Sequence, residues 1–326
     1  MTVPVRSQAA SGRLNVCHAG SLTAAFTAIE EAFSKQYPGV ALTDTAGGSV
    51  DLARRFAAGT LACDVFAPAD HLLIDRLLRP AKLADSTIVF ASGRMVLAYL
   101  ATDAKAQRLQ VSGTFNPPAS IPEAAPGWYD ALTAPGVRIS GAHPFLDPGG
   151  YRSHMIFELA QRHYRAPGLY NALLQHYQVN VADPSNAAAA AVLGKDFNFQ
   201  ITYEHSAAAA ARRDPNYRYA RLPSAIDLSS ARASEYAPTV VTIPGLGTPG
   251  SAASVTIEAS QVAWGLTIPK NSANPDQAAR FVAMVLGAPG AAAFAANGPT
   301  SLTPARVSRA DLSRLPSPLR SLVAVQ

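Results

Sequence analysis

With 326 residues, 48% of them hydrophobic and 15% charged, the chain has the composition of a folded protein and exceeds one ordinary domain; it suits two lobes of about 100–150 residues each. The net charge of +5 is spread over scattered Lys and Arg, with no basic run interleaved with aromatics of the kind a nucleic-acid groove needs. No apolar stretch reaches the roughly 18 residues that span a bilayer, and the opening MTVPVRSQAASGR lacks the apolar centre of a secretory signal.

Residues 1–12 read as a disordered segment. The run 14–17 is a short strand feeding His18-Ala-Gly-Ser21, and a helix follows in which Leu22, Ala25, Phe26, Ile29 and Phe33 share one face. Pro38-Gly39 ends it and 40–43 is the next strand. Ala46-Gly47-Gly48-Ser49 then precedes a helix carrying Leu52 and Phe56. A third strand, 64–67, leads to a helix with Leu72, Ile74 and Leu77, and strands at 88–90 and 95–100 continue the sheet. This alternation predicts an α/β fold with largely parallel sheets.

A stretch containing Pro117, Pro118, Pro122 and Pro126 interrupts the pattern, so a crossover into a second lobe is expected near residue 103. That lobe has its own alternation: a helix at 128–132, a strand at 137–140, a helix at 150–164 opening after Asp147-Pro148-Gly149, an Ala-rich helix at 186–192, a strand at 197–203, a helix at 206–212 and a strand at 217–222. The chain then returns through strands at 255–257 and 262–268 and helices at 275–286 and 291–296. The expected division is 13–103 and 232–326 for lobe one and 104–231 for lobe two.

Serine at two strand-to-helix junctions, Ser21 and Ser49, carries chemistry. The first N–H groups of a helix lack intrahelical partners and bear a partial positive charge. A neighbouring hydroxyl adds a neutral donor, so two such ends aimed at one point bind an anion without Lys or Arg. Simple N-capping explains either serine taken alone. Cys17 and Cys63 each fall in or beside a strand; two buried free thiols is the preferred reading and a disulfide the alternative. The seven histidines are dispersed, without zinc-type Cys/His spacing.

The ordered segments LNVCHAGSL, TAGGS, CDVFAPADH, HPFLDPGGYRSHM, AIDLSS and GLTIPKNSANP resemble the molybdate/tungstate-binding periplasmic proteins of ABC importers, closest to the archaeal-type branch. The resemblance runs from about residue 13 to 305. It implies a two-lobed periplasmic binding protein type II fold, each lobe a mixed, mostly parallel sheet flanked by helices. Carried over position by position, it assigns oxyanion binding to Ser21, Ser49, Asp147, Tyr203 and Ser185, with Asp147 able to reach the molybdenum or tungsten itself. The archaeal-type branch has a second carboxylate where this chain has Ser185, whose backbone N–H suits the role found in the bacterial branch; Asp183 and Glu204 are the nearest substitutes. Arg152 is expected to brace the loop and Glu204-His205 to hold no metal.

What the resemblance implies is a monomeric, non-enzymatic solute-binding protein, periplasmic or extracytoplasmic, without a cofactor, delivering molybdate or tungstate to an ABC permease in the membrane and not binding nucleic acid. Its rivals are the same fold serving sulfate or phosphate, an enzyme on the same scaffold, and a ligand-sensing domain. A hydrolase triad of Ser21, His18 and Asp147 lacks the nucleophile-elbow sequence.

Overall fold

The computed structural model describes residues 11–179, 193–246 and 254–326. Strand β1 (Ser11–Ala19) leads through a single 3-10 turn (Gly20–Leu22) into helix α1 (Thr23–Gln36). Strand β2 (Gly39–Gly47) leads into α2 (Ser49–Ala57), and β3 (Val65–Ala67) and β4 (Ile88–Ser92) follow. The second lobe contains β5 (Met95–Leu100), β6 (Val111–Ser112), β7 (Glu123–Ala124), α3 (Trp128–Leu132), β8 (Ile139–Gly141), α4 (Pro148–His163), α5 (Leu169–His176), β9 (Tyr177–Val179), β10 (Phe199–Tyr203), α6 (Glu204–Arg213) and β11 (Tyr217–Arg221). Last come β12 (Val240–Pro244), β13 (Ser254–Glu258), β14 (Ala263–Leu266), α7 (Pro275–Leu286), α8 (Ala288–Asn297), β15 (Thr300–Val307), α9 (Arg309–Leu312) and β16 (Val323–Val325).

In the first lobe β2, β1 and β3 run parallel in that order, and β14, β4, β15 and β16 form a second sheet. Paired backbone bonds between Phe66 and Thr267, 3.0 and 2.9 Å, join β3 to the chain just beyond β14, so the two sheets are continuous. Apolar residues at helical spacing fasten the helices to this layer: Phe26 of α1, Phe90 of β4, Phe281 of α7 and Phe294 of α8 are buried with ring centroids 5.4–6.5 Å apart in the contacting pairs, within the favourable range for aromatic pairs. The second lobe is built on a mixed seven-stranded sheet, β6-β7-β11-β5-β10-β8-β9. The alanine run of α6 has a packing role here: Ala207 and Ala210 are buried against Val96, Ala98, Tyr217 and Tyr219.

Three expectations are corrected. The strand at 95–100 was assigned to the first lobe, but β5 pairs antiparallel with both β10 and β11. The chain therefore crosses between lobes at Gly93-Arg94, not near 103, because the strand that follows directly hydrogen-bonds into the second sheet. Residues 11 and 12 were placed in a disordered segment, yet they pair with Gly39 and Val40 as the start of β1; residues 1–10 lie outside the described residues. Cys17 and Cys63 are joined as a disulfide, with Cα atoms 5.7 Å apart. Cys17 lies within the β1–β3 pairing, opposite Phe66, and Cys63 stands two residues before β3, so the pairing brings 46 residues of separation to bonding distance. The helix at 186–192, with Asp183 and Ser185, lies outside the described residues.

Two segments connect the lobes side by side. Met95 N donates to Asp227 O at 2.9 Å, Gly93 N to Val262 O at 2.9 Å, and Val262 N to Leu228 O at 2.8 Å. Arg94 bridges the same place, with Nε 3.2 Å from Glu204 and Nη1 3.3 Å from the buried Asp227.

Candidate functional site between the lobes

The register of the first sheet places the two serines together. Ala19 of β1 pairs with Gly47 of β2, and each strand is followed by a glycine and then a serine, Gly20-Ser21 and Gly48-Ser49. Ser21 lies in the turn before α1; its Oγ accepts from Trp264 Nε1 at 3.0 Å. Ser49 is the first residue of α2 and is wholly buried, its Oγ accepting from Ala69 N at 3.0 Å. From the second lobe, Asp147 caps α4, accepting from Gly149 N at 2.7 Å with Pro148 at the first helical position. Tyr203 ends β10.

A cavity of about 300 Å³ between the lobes is lined by Ser21, Asp147 and Tyr203, together with Thr23, Gln200, Thr202, His205, Ser206 and Arg213. The structure thus gathers three of the expected residues. Ser49 stands behind the lining, not in it, and Ser185 is outside the described residues. Arg213 and Gln200 were not expected; no local motif marks them, because they enter the cavity only through the placement of α6 and β10.

Asp147 is 4% exposed and Arg152 2%. Arg152 Nη1 donates to Tyr203 Oη at 3.0 Å and to Ala69 O at 2.8 Å, while Nη2 lies 3.7 Å from Asp70. Tyr151 donates to the other oxygen of Asp70 at 2.5 Å. Arg152 accordingly ties the lobes together and touches Tyr203, beyond the loop-bracing role expected of it. Burial, reinforced by the Asp147 carboxylate, pushes the Tyr203 phenol well above its usual range despite Arg152. It stays protonated, and since its oxygen already accepts from Arg152 its O–H is a donor.

Two further contacts close the lobes on each other. His205 Nε2 donates to Ser21 O at 2.8 Å; burial pushes this imidazole down to about 4, so it is neutral near pH 7. Its ring lies edge-on to Trp264 at 5.2 Å. On the other side, Leu146 O accepts from Val50 N at 3.0 Å and Asp51 N at 3.2 Å, occupying the free donors at the start of α2. A Cβ on Gly48 would stand 2.6 Å from Leu146 O, and one on Gly150 would stand 2.5 Å from Ala142 O. Both glycines let the 142–147 loop approach.

Glu204 is not a substitute carboxylate for the cavity: it pairs with Arg94 and with Arg221 at 2.8 Å. The Ser21, His18, Asp147 triad is not assembled either, because His18 Nε2 faces Asp44 at 2.8 Å.

The family described as bacterial extracellular solute-binding protein matches residues 14–299. The chain belongs to that family. Among relatives of this solute-binding protein, one from Petrotoga mobilis, itself called a solute-binding protein, is 29% identical over 295 residues, covering 90% of this chain and 85% of the relative. The molybdate/tungstate-binding protein WtpA of Pyrococcus abyssi is 27% identical over 316 residues, covering 90% and 86%. The sulfate-binding protein SubI of Mycobacterium tuberculosis superposes with a TM-score of 0.61 at 17% identity, covering 90% and 88%. The fold is the type II periplasmic binding protein fold.

Proposed function

We propose that this solute-binding protein captures a tetrahedral oxyanion, molybdate or tungstate, between its lobes and presents it to a membrane ABC permease. The observation that carries the reading is that Ser21 of one lobe and Tyr203 and Asp147 of the other line one cavity. The name of the Pyrococcus relative supports the choice of anion.

The anion competes with protein groups already in place. Leu146 O holds the first N–H groups of α2, a position where a helix start favours negative charge; an oxyanion that displaces it gains these donors along with Ser49. Asp147 selects among anions. A carboxylate beside a dianion is repulsive, more so away from water, unless the central atom takes the carboxylate as a ligand. Molybdenum(VI) and tungsten(VI) accept more than four oxygens, whereas sulfur in sulfate does not, so Asp147 favours the former and repels the latter. With Ser185 in place of a second carboxylate, the coordination number is four or five. Closure about the Gly93-Arg94 and Asp227-Leu228 segments then creates the surface the permease reads. The Cys17–Cys63 disulfide fits an oxidising, extracytoplasmic compartment.

A thermal-shift and calorimetric panel of molybdate, tungstate, sulfate and phosphate tests this. Molybdate or tungstate at roughly 100 times its dissociation constant stabilises the protein by about 2.7 kcal/mol, a rise of a few degrees. Sulfate matching molybdate overturns the anion assignment, and no response to any oxyanion overturns oxyanion capture.

A further inference from the structure

On the face of the first sheet covered by α1, three metal-binding side chains meet that the oxyanion site does not use. Val16 pairs with Asp44 and His18 with Ala46 across β1 and β2, so His18 and Asp44 lie diagonally on one face. Glu30 comes from α1, one turn after Phe26, whose ring lies 4.8 Å from that of His18. One ligand atom from each of His18, Glu30 and Asp44 falls within 4.8 Å of the others.

The hydrogen bonding at this point is incomplete. His18 is 1% exposed, and its Nδ1 lies 2.8 Å from Ala19 O. That carbonyl can only accept, so Nδ1 carries a hydrogen and Nε2 is the ring nitrogen left to face the carboxylates, the one whose lone pair a metal can take. Nε2 is buried and lies 2.8 Å from Asp44 Oδ1, yet outside hydrogen-bonding alignment; Glu30 Oε1 is likewise buried without a hydrogen-bond partner. A ring nitrogen and two carboxyl groups turned on one point need a proton or a metal ion between them. The side chain of Asp44 is 34% exposed, which leaves a path from solvent.

We propose that His18, Glu30 and Asp44 form a site for one first-row divalent cation of the zinc class, completed by water. One imidazole and two carboxylates are a donor set zinc accepts at about 2.0–2.2 Å, and the imidazole disfavours magnesium and calcium, which take oxygen donors. The second hydrogen bond expected of a metal-bound histidine is already present as Nδ1–H to Ala19 O. Burial and the neighbouring Asp44 push the Glu30 carboxyl up to about 7; cation binding releases that proton. The site lies on β1 shortly before the Ser21 turn, and its occupancy does not depend on which solute the cleft takes.

The test is calorimetry of the chelator-treated full chain at pH 7.5 with zinc chloride, and visible absorption with cobalt(II), on the wild type, Glu30→Gln and Asp44→Asn. These two replacements spare the buried His18, and circular dichroism verifies that each variant is folded. One equivalent of zinc is expected, with a four-coordinate cobalt spectrum, no response to magnesium or calcium, and affinity reduced by roughly tenfold or more in each variant. Three results overturn the proposal: no zinc binding, zinc binding unchanged in both variants, or equal binding of magnesium. The first would mean that a proton alone occupies the cluster.

Discussion

The two serines look equivalent in sequence and are not equivalent in the fold. Ser21 faces the cavity, so Ser21→Ala removes a donor to a charged ligand. The expected loss is about 1.5–3 kcal/mol of binding free energy, measured by titration calorimetry with molybdate, together with some stability, because the buried Trp264 Nε1–H loses its acceptor. Ser49→Ala also leaves the buried Ala69 N–H without its acceptor, so about 1–3 kcal/mol of stability is lost as well, read from urea unfolding without ligand. Unchanged stability of Ser49→Ala, or unchanged molybdate affinity of Ser21→Ala, would contradict these roles. For Asp147→Asn, the expected outcome is weaker molybdate and tungstate binding with sulfate binding equal or stronger. Asparagine can still cap α4, which separates the charge from the fold, and parallel losses for both anions would reduce Asp147 to a loop-shaping residue.

Elements in this chain are fastened by contacts distant in sequence. The disulfide ties β1 to the approach to β3 across 46 residues. The double replacement Cys17→Ser with Cys63→Ser is expected to cost about 2–4 kcal/mol, checked by urea unfolding of the oxidised wild type against the variant. Where a loop meets a helix, Gly48→Ala brings a Cβ against Leu146 O. The loop must then withdraw from α2, and the expected result is a more open protein in small-angle scattering without ligand.

For the molecule as a whole, stability is coupled to protons. His205 crosses from α6 to the Ser21 turn, and burial pushes it down from 6.5 to about 4. The unfolded chain therefore binds a proton that the folded chain refuses. This contribution to stability is complete above pH 6.5 and is lost progressively as pH falls toward 4. Glu30 acts in the opposite sense: pushed up from 4.5 to about 7, it holds a proton in the folded state, and the stability it lends below pH 4.5 is lost as pH rises through 7. Comparing wild type with His205→Gln isolates the histidine, because Glu30 is common to both. The wild type is expected to lose more stability than the variant between pH 6.5 and 4 in urea unfolding; parallel curves would remove His205 as the cause.

Local pattern was enough for the helices whose apolar face is continuous, such as α1 and α7, and for the strand-glycine-serine junctions at Ser21 and Ser49. The resemblance further marked Asp147 at the start of α4 and Tyr203 at the end of β10. It was not enough for the lobe boundary, since β5 reads the same whichever sheet receives it and only its pairing with β10 and β11 assigns it. Nor could spacing reveal Arg152 against Tyr203, Leu146 on α2, the Cys17–Cys63 pairing, or the meeting of His18, Glu30 and Asp44. Periodicity and turn chemistry act over a few residues and are written in the local sequence. Which strands pair, which thiols meet and which donors are already taken depend on long-range packing, and only the tertiary structure decides them.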